Sequence, residues 1–230
     1  MTAPCRIVFP LYAGVTQLDF TAPHQFFNRM PGAETIVASV GAVDVEADGL
    51  VFAKLADLTT IESCDVLCVP GGFGTTAAML DEAYMAAIMR LGGGARYVTS
   101  VCTGSLILAA AGLLKGRRAA CHWAWRDLLP LFDVEVDEAR VCRDGNVITG
   151  GGVTAGLDFA LVAGAEIFGE DAARRVQLGL EYAPAPPFEG GRPELAQPHI
   201  LEQVQKAMSA ALADRRAGAV EAAARLKARV

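Results

Sequence analysis

The residues best placed for covalent chemistry are Tyr97-Val98-Thr99-Ser100-Val101-Cys102-Thr103-Gly104-Ser105, where a β-branched run ends on a cysteine and an apolar helical pattern starts at once. A strand that turns sharply into a helix holds its turn residue in a strained, exposed position above the sheet edge, and a glycine two residues on lets the helix pass close by. Cys102 is therefore expected to point at a ligand. The N–H groups of Thr103, Gly104 and Ser105 have no intrahelical partners and carry the positive end of the helix dipole, which favours thiolate over thiol. The expectation is a depressed thiol pKa. A free cysteine is more usually a small buried hydrophobe, but none of Cys5, Cys64, Cys68, Cys121 or Cys142 lies at a comparable strand-to-helix turn. Metal binding is not expected: there is no Cys-x-x-Cys pair, the histidines are scattered, and Cys121-His122 alone is not a zinc site.

Three further segments can converge on Cys102, because ligands of open α/β sheets bind beyond the carboxyl ends of the strands. The first strand leads to Gln17-Leu18-Asp19-Phe20-Thr21-Ala22-Pro23, an acid hemmed by apolar neighbours. Such a carboxyl has a raised pKa and can hold a proton for use as a general acid; Asp19 could equally cap the next helix. The third strand leads to Pro70-Gly71-Gly72-Phe73-Gly74-Thr75-Thr76, whose backbone N–H groups could face an anionic or tetrahedral species. Gly72-x-Gly74-x-x-Ala77 formally matches a dinucleotide fingerprint, but it follows the third strand and no acidic residue follows the next strand to hold a ribose. No phosphate loop of the Gly-x-x-x-x-Gly-Lys-Ser/Thr type occurs either. The last segment, Thr149-Gly150-Gly151-Gly152-Val153-Thr154, permits close backbone approach before a capped helix. Of the histidines that could serve as base, His24, His122 and His199, only His122 is a candidate neighbour of the site, and a structural role at a helix start explains it as well.

These residues need a scaffold, and the chain supplies one. Apolar β-rich runs alternate with helical patterns, the mark of an α/β fold with a parallel sheet covered on both faces. Strands are expected at 6–12, 34–40, 65–70, 95–101, 118–121, 140–143 and 146–149. A helix from Thr75 or Thr76 to Leu91 is expected to stop at Gly92-Gly93-Gly94, and an all-apolar helix from Leu106 to Leu114 to close at Lys115-Gly116. Thr154 is expected to cap a helix carrying Leu157, Leu161, Ile167 and Phe168. Residues 1–182 then form the α/β domain. Residues 183–230 form a proline-rich extended arm, a helix with Leu201, Val204, Met208 and Leu212 at helical spacing, and a short alanine-rich tail. The arm lies either on its own domain or on a second copy of the chain, and a homodimer is the expectation.

The 230 residues suffice to bury a core of roughly 70% of the unfolded surface. No secretory leader and no apolar run near the roughly 20 residues of a membrane span is seen. Six cysteines without framework spacing fit a reducing compartment, so a cytoplasmic location is expected. A formal net charge of −6 argues against a nucleic-acid surface and leaves small neutral or apolar ligands as partners.

At these residues the chain resembles the class I glutamine amidotransferase-like superfamily, and within it the branch that hydrates isocyanides. The resemblance is carried by Gln17 to His24, Pro70-Gly71-Gly72, Thr99 to Ser105, Thr149 to Gly156, and the segment Gln177-Leu178-Gly179-Leu180-Glu181-Tyr182-Ala183-Pro184-Ala185-Pro186-Pro187-Phe188. It implies a flavodoxin-like, doubly wound, mostly parallel sheet in a homodimer, with Cys102 as nucleophile and Asp19 as its acid–base partner, and no cofactor. Many superfamily members carry histidine directly after the cysteine and glutamate at the acidic position. Here those positions are Thr103 and Asp19, which speaks against protease, amidotransferase and deglycase activity. An isocyanide's terminal carbon accepts a soft nucleophile when a proton quenches the developing charge, so Cys102 and Asp19 would give a covalent thioimidate that water converts to a formamide. Thr103 and the N–H groups near Gly72 and Gly151 would orient the intermediate. Two alternatives stand beside this reading: a ligand-sensing module without turnover, as in related transcriptional regulators, and a thiol enzyme acting on reactive aldehydes such as methylglyoxal.

Overall fold

The computed structural model describes residues 3–229. In chain order its elements are β1 (Cys5–Pro10), α1 (Gln17–Phe27), β2 (Ala33–Ser39), β3 (Val45–Ala47), β4 (Leu50–Phe52), β5 (Ala56–Asp57), β6 (Val66–Val69), α2 (Thr75–Leu80), α3 (Glu82–Gly94), β7 (Tyr97–Val101), α4 (Gly104–Ala110), β8 (Arg118–Ala119), β9 (Glu135–Val136), β10 (Val141–Asp144), β11 (Val147–Gly150), α5 (Ala155–Phe168), α6 (Glu170–Gly179) and α7 (Pro198–Ala228). A 3-10 helix, Arg126–Phe132, lies between β8 and β9.

Seven strands form the central sheet in the order β10-β11-β7-β6-β1-β2-β5, parallel throughout except for the β10–β11 hairpin. The inner strands β6 and β7 are buried at every position because they are covered on both faces, which is why they read as continuous Val, Leu, Tyr and Thr runs and not as alternation. The chain leaves β1 in one direction to β2 and later in the other direction to β6 and β7, so right-handed crossovers place α1 and the helices after β6 on opposite faces. Helix α1 packs on α5 and α5 on α6, while α2, α4 and α7 pack on one another. The reversal of winding falls between β1 and β6, and the loops after β1, β6 and β7 meet there.

Several expected elements are corrected. The single helix expected from Thr75 or Thr76 is two, because Asp81 is extended and its Oδ1 accepts the Tyr84 N–H (2.9 Å) as the cap of α3. The glycines at 92–94 do not stop that helix. It runs through them to Gly94, and Gly92 is the position against which the Leu113 side chain lies. Helix α4 ends at Ala110, earlier than expected, as Gly112 turns left-handed with a φ of 76°. Thr154 precedes α5 without a side-chain cap bond.

The largest correction concerns the C-terminal segment. Helix α7 is continuous from Pro198 to Ala228, and its alanine-rich half is the part that packs. Gly218, Ala219, Ala222 and Ala223 are buried, with Gly218 directly against Thr76 of α2. Small side chains let the two helix backbones approach closely. In contrast, Ile200, Val204 and Leu212 at the other end are about two-fifths exposed. Among the described residues no helix is long and apolar enough to cross a membrane.

Candidate functional site

Strand β7 ends at Val101, and the next residue, Cys102, adopts a φ of 59°. A left-handed conformation at a residue with a Cβ is strained, and strain of this kind is of order 1–3 kcal/mol. The surroundings hold it: the Cys102 N–H donates to the carbonyls of Gly151 (2.8 Å) and Gly150 (3.1 Å) at the end of β11. The helix that follows passes so close to β6 that a Cβ at Gly104 would collide with the Val69 carbonyl. The sequence expectation of a cysteine elbow with its glycine of close approach matches this geometry.

Asp19 comes from the first turn of α1 and is fully buried. Its Oδ2 accepts the Gly71 N–H at 2.9 Å, reaching across to the loop after β6 instead of capping its own helix. Oδ1 makes no well-directed hydrogen bond among the described residues, and the side chain that interacts with the carboxyl is the Cys102 thiol. Burial pushes the Asp19 carboxyl up to about 7, against the opposing pull of the Cys102 and Gly71 hydrogen bonds.

The expectation of a depressed thiol pKa is reversed. Burial pushes the Cys102 thiol well above its usual range, and the negative charge of the Asp19 carboxylate pushes in the same direction. The helix-terminal N–H of Thr103 and the N–H of Val153 act on the sulfur and lower its pKa, but they are the smaller effects. The helix N-terminus alone does not decide the ionisation of a thiol that is 5% exposed and faces a carboxyl.

The donors assigned from the sequence also need correction. The Gly72 N–H is used by Thr103 Oγ1 (3.0 Å) and the Gly151 N–H by the Arg140 carbonyl (2.9 Å), so neither is free to orient an intermediate. The N–H groups that reach the Cys102 sulfur are those of Thr103 and Val153. The Thr103 hydroxyl instead belongs to a buried chain in which Tyr12 OH, Thr75 Oγ1 and Thr103 Oγ1 follow one another at 3.1 and 2.7 Å. This chain fixes the Gly71–Gly74 turn, whose tightness depends on glycine: a Cβ on Gly71 would stand 2.9 Å from Asp19 Oδ2 and closer still to Thr103.

Above Cys102 lies a cavity of about 180 Å³ lined mainly by apolar surface, with Phe73, Trp125, Val153 and Met208 as walls and His122, Thr103 and Arg215 at its margin. His122 does reach this cavity. Its Nδ1 accepts the Ala124 N–H (3.2 Å), and burial lowers its pKa to about 4, so it is a neutral ring at pH 7. His24 sits at the edge of Phe9 and beside Thr35, and His199 is exposed near the start of α7; neither lines the cavity. Met208 and Arg215 were missed by the sequence reading. Both come from α7, and the signal available was an arginine inside an alanine-rich helix, which nothing local distinguishes from a surface residue.

Over 228 residues the chain is 45% identical to an isonitrile hydratase of Pseudomonas putida, covering 97% of this chain and 99% of that protein. It is 31% identical to the HTH-type transcriptional regulator GlxA of Rhizobium meliloti over 74% of this chain and 52% of the regulator. A crystal structure of a ThiJ/PfpI family protein from Pseudomonas syringae superposes with a TM-score of 0.91 at 40% identity, covering 95% of this chain and 91% of that one. The profile of the DJ-1/PfpI family matches residues 5–165, the stretch that holds Asp19, Cys102 and the sheet between them, and the chain belongs to that family.

Proposed function

We propose that the chain hydrates isocyanides, R–N≡C, to N-substituted formamides, with Cys102 as nucleophile and Asp19 as the acid–base group. The observation that carries this reading is a thiol that lines a small apolar cavity and is paired, behind the cavity wall, with a fully buried carboxyl of raised pKa. The 45% identity to an isonitrile hydratase over nearly the whole of both chains supports it. An isocyanide is neutral and needs no charged clamp, but its terminal carbon must gain a proton as it gains a nucleophile.

In the reactive form the pair holds one proton. Asp19 takes it from the thiol as sulfur bonds to the terminal carbon, then delivers it to that carbon, leaving the thioimidate R–N=CH–S–Cys102 and a carboxylate. Asp19 next accepts a proton from water as the oxygen attacks the same carbon. One water proton ends on nitrogen, the other on sulfur, the C–S bond breaks, and the formamide leaves. The N–H groups of Thr103 and Val153 stabilise sulfur whenever it carries charge.

The pH dependence follows with a definite sign. Below the apparent pKa of the pair, near 7, thiol and carboxyl are both protonated and no base is available. The value of kcat/KM is expected to rise about tenfold per unit up to that point and then level. A profile that falls as pH rises through 7 would contradict the one-proton form.

The direct test offers the purified protein an aryl isocyanide and follows formamide by ultraviolet absorbance, with methylglyoxal and lactate formation as the parallel assay. Formamide without lactate is the expected result. A folded protein that makes neither would favour the sensing module. We further propose that the chain works as a homodimer in the cytoplasm. All six cysteines are free thiols, which suits a reducing compartment. Phe188, Leu195, Ile200, Val204 and Leu212 leave the arm and the first half of α7 with apolar surface that a second copy would cover. Light scattering at micromolar concentration is expected to give twice the 24.1 kDa chain mass; a monomer mass would count against it.

A further inference from the structure

Arg215 has the geometry of a working residue and no ordinary reason to be where it is. It is 3% exposed and lies on α7, outside the stretch matched by the family profile. Its guanidinium stacks on the Trp125 ring at 4.1 Å, and Nη2 donates to the carbonyls of Gly72 (2.9 Å) and Phe73 (3.1 Å). No carboxylate pairs with it among the ion pairs of the described residues, and its buried Nε has no partner. A buried cation with neutral neighbours is costly unless a negative charge forms nearby. It shares the cavity margin with Cys102 and Thr103.

We propose that Arg215 is a positioning residue of the reaction: it supplies the countercharge that holds the Cys102–Asp19 pair in its singly negative, one-proton form, and through the Gly72 and Phe73 carbonyls it fixes the turn whose Gly71 N–H binds Asp19. Other groups around the pair are poorly suited to that task. Cys121, beside the sulfur, is pushed up to about 12, Tyr12 on the loop after β1 is pushed up further by burial, and His122 is pushed down to about 4, so all three are neutral at pH 7. Asp48, on the β3–β4 turn, and Asp214, the neighbour of Arg215 on α7, are acids and add no positive charge. Arg126, on the 3-10 helix, acts on Cys121 but is paired with Glu138 and Glu194. Arg215 is the unpaired cation whose charge bears on Cys102, Cys121 and Tyr12 alike.

The inference rests on the hydration reading only for its role in turnover, so its test uses a readout independent of isocyanides. The rate of alkylation of Cys102 by iodoacetamide is measured against pH by peptide mass, in the wild type and in Arg215→Gln and Arg215→Lys, with isocyanide turnover recorded in parallel. In Arg215→Gln the midpoint of the alkylation profile is expected to move up by at least one pH unit, a loss of about tenfold in thiolate at pH 7. Arg215→Lys keeps the charge and is expected to hold the midpoint within half a unit while turnover falls, because a point cation replaces the fork that binds two carbonyls. An unchanged midpoint in folded Arg215→Gln, or a shift of a full unit in Arg215→Lys, overturns the proposal. If Arg215→Gln does not fold, the Arg215→Lys profile alone decides by the same criterion. An alkylation profile shifted in Arg215→Gln, beside a wild type that does not hydrate isocyanides, would uphold the electrostatic role and refute the hydratase reading.

Discussion

Cys102→Ala is expected to lower turnover of an aryl isocyanide by at least about 10⁴-fold and to leave the fold intact. Both parts of the expectation follow from position 102. The left-handed conformation there strains alanine and cysteine equally, because both carry a Cβ, and the bonds from the residue 102 N–H to Gly150 and Gly151 do not involve the side chain. The substitution therefore removes the sulfur and little else. With no nucleophile, the carboxyl of Asp19 could at best guide water to the substrate, and Arg215 and the Thr103 hydroxyl, which also line the cavity, are engaged with the Gly72 and Phe73 carbonyls and with Thr75 and do not replace the lost sulfur. Steady-state formamide formation, checked against circular dichroism of the same preparation, measures the effect. Residual activity within tenfold of the wild type would remove Cys102 from the mechanism.

Asp19→Asn is expected to act in two opposite directions. Turnover falls about 10³-fold, the usual scale for loss of a general acid–base group. Stability at alkaline pH rises. The carboxyl has a folded-state pKa of about 7 against an ordinary value of 3.8, so it is bound to its proton more tightly in the folded chain. Its contribution to stability is fully present below pH 3.8 and is lost as pH rises through about 7, where the folded protein must bury a charge that the unfolded chain leaves in water. Asparagine keeps an oxygen to accept the Gly71 N–H and cannot ionise. The variant should therefore gain on the order of 2–4 kcal/mol over the wild type between pH 5 and pH 8. Urea unfolding of both proteins across that range tests it; a constant difference would mean that Asp19 is ionised throughout, and the acid role would go with it.

How much of this could be read from residue order depends on the range of the interactions. The sheet was legible because β6, β7 and the last four residues of β1 are buried, which gives them runs rich in apolar and β-branched residues. The elbow was legible because a β-branched run, a cysteine and a glycine two residues on are local facts. The partnership with Asp19 was legible in part, since an acid among apolar residues after β1 must lie near the carboxyl edge of the sheet. The pKa of Cys102 was misjudged because dipole and end effects are local whereas burial and the facing carboxyl come from distant chain. The donors near Gly72 and Gly151 were misassigned because those N–H groups are already used, the first by Thr103 from distant chain and the second by Arg140 across the β10–β11 hairpin.

Other elements were available and not taken. Asp48-Gly49 between Val45-Glu46-Ala47 and Leu50-Val51-Phe52 is a strong hairpin signal, and the β3–β4 hairpin forms there, with Asp48 accepting the Gln17 N–H (3.0 Å) at the start of α1. The Asp81-Glu82 pair marked the restart of a helix. Helix α7 was misread because its larger apolar residues suggested the packing face, while its glycine and alanines make it. That face brings Met208 and Arg215 to the cavity, a placement that residue order does not show.

The central claim is that hydration passes through a bond between Cys102 and the isocyanide carbon. The most direct measurement mixes the protein with an aryl isocyanide, quenches within the first turnover and reads the intact mass and the Cys102 peptide. The predicted result is a mass increase equal to one whole isocyanide, carried on Cys102, appearing before formamide and vanishing when substrate is exhausted. Formamide formed in the first turnover from a protein whose mass never changes would contradict the account.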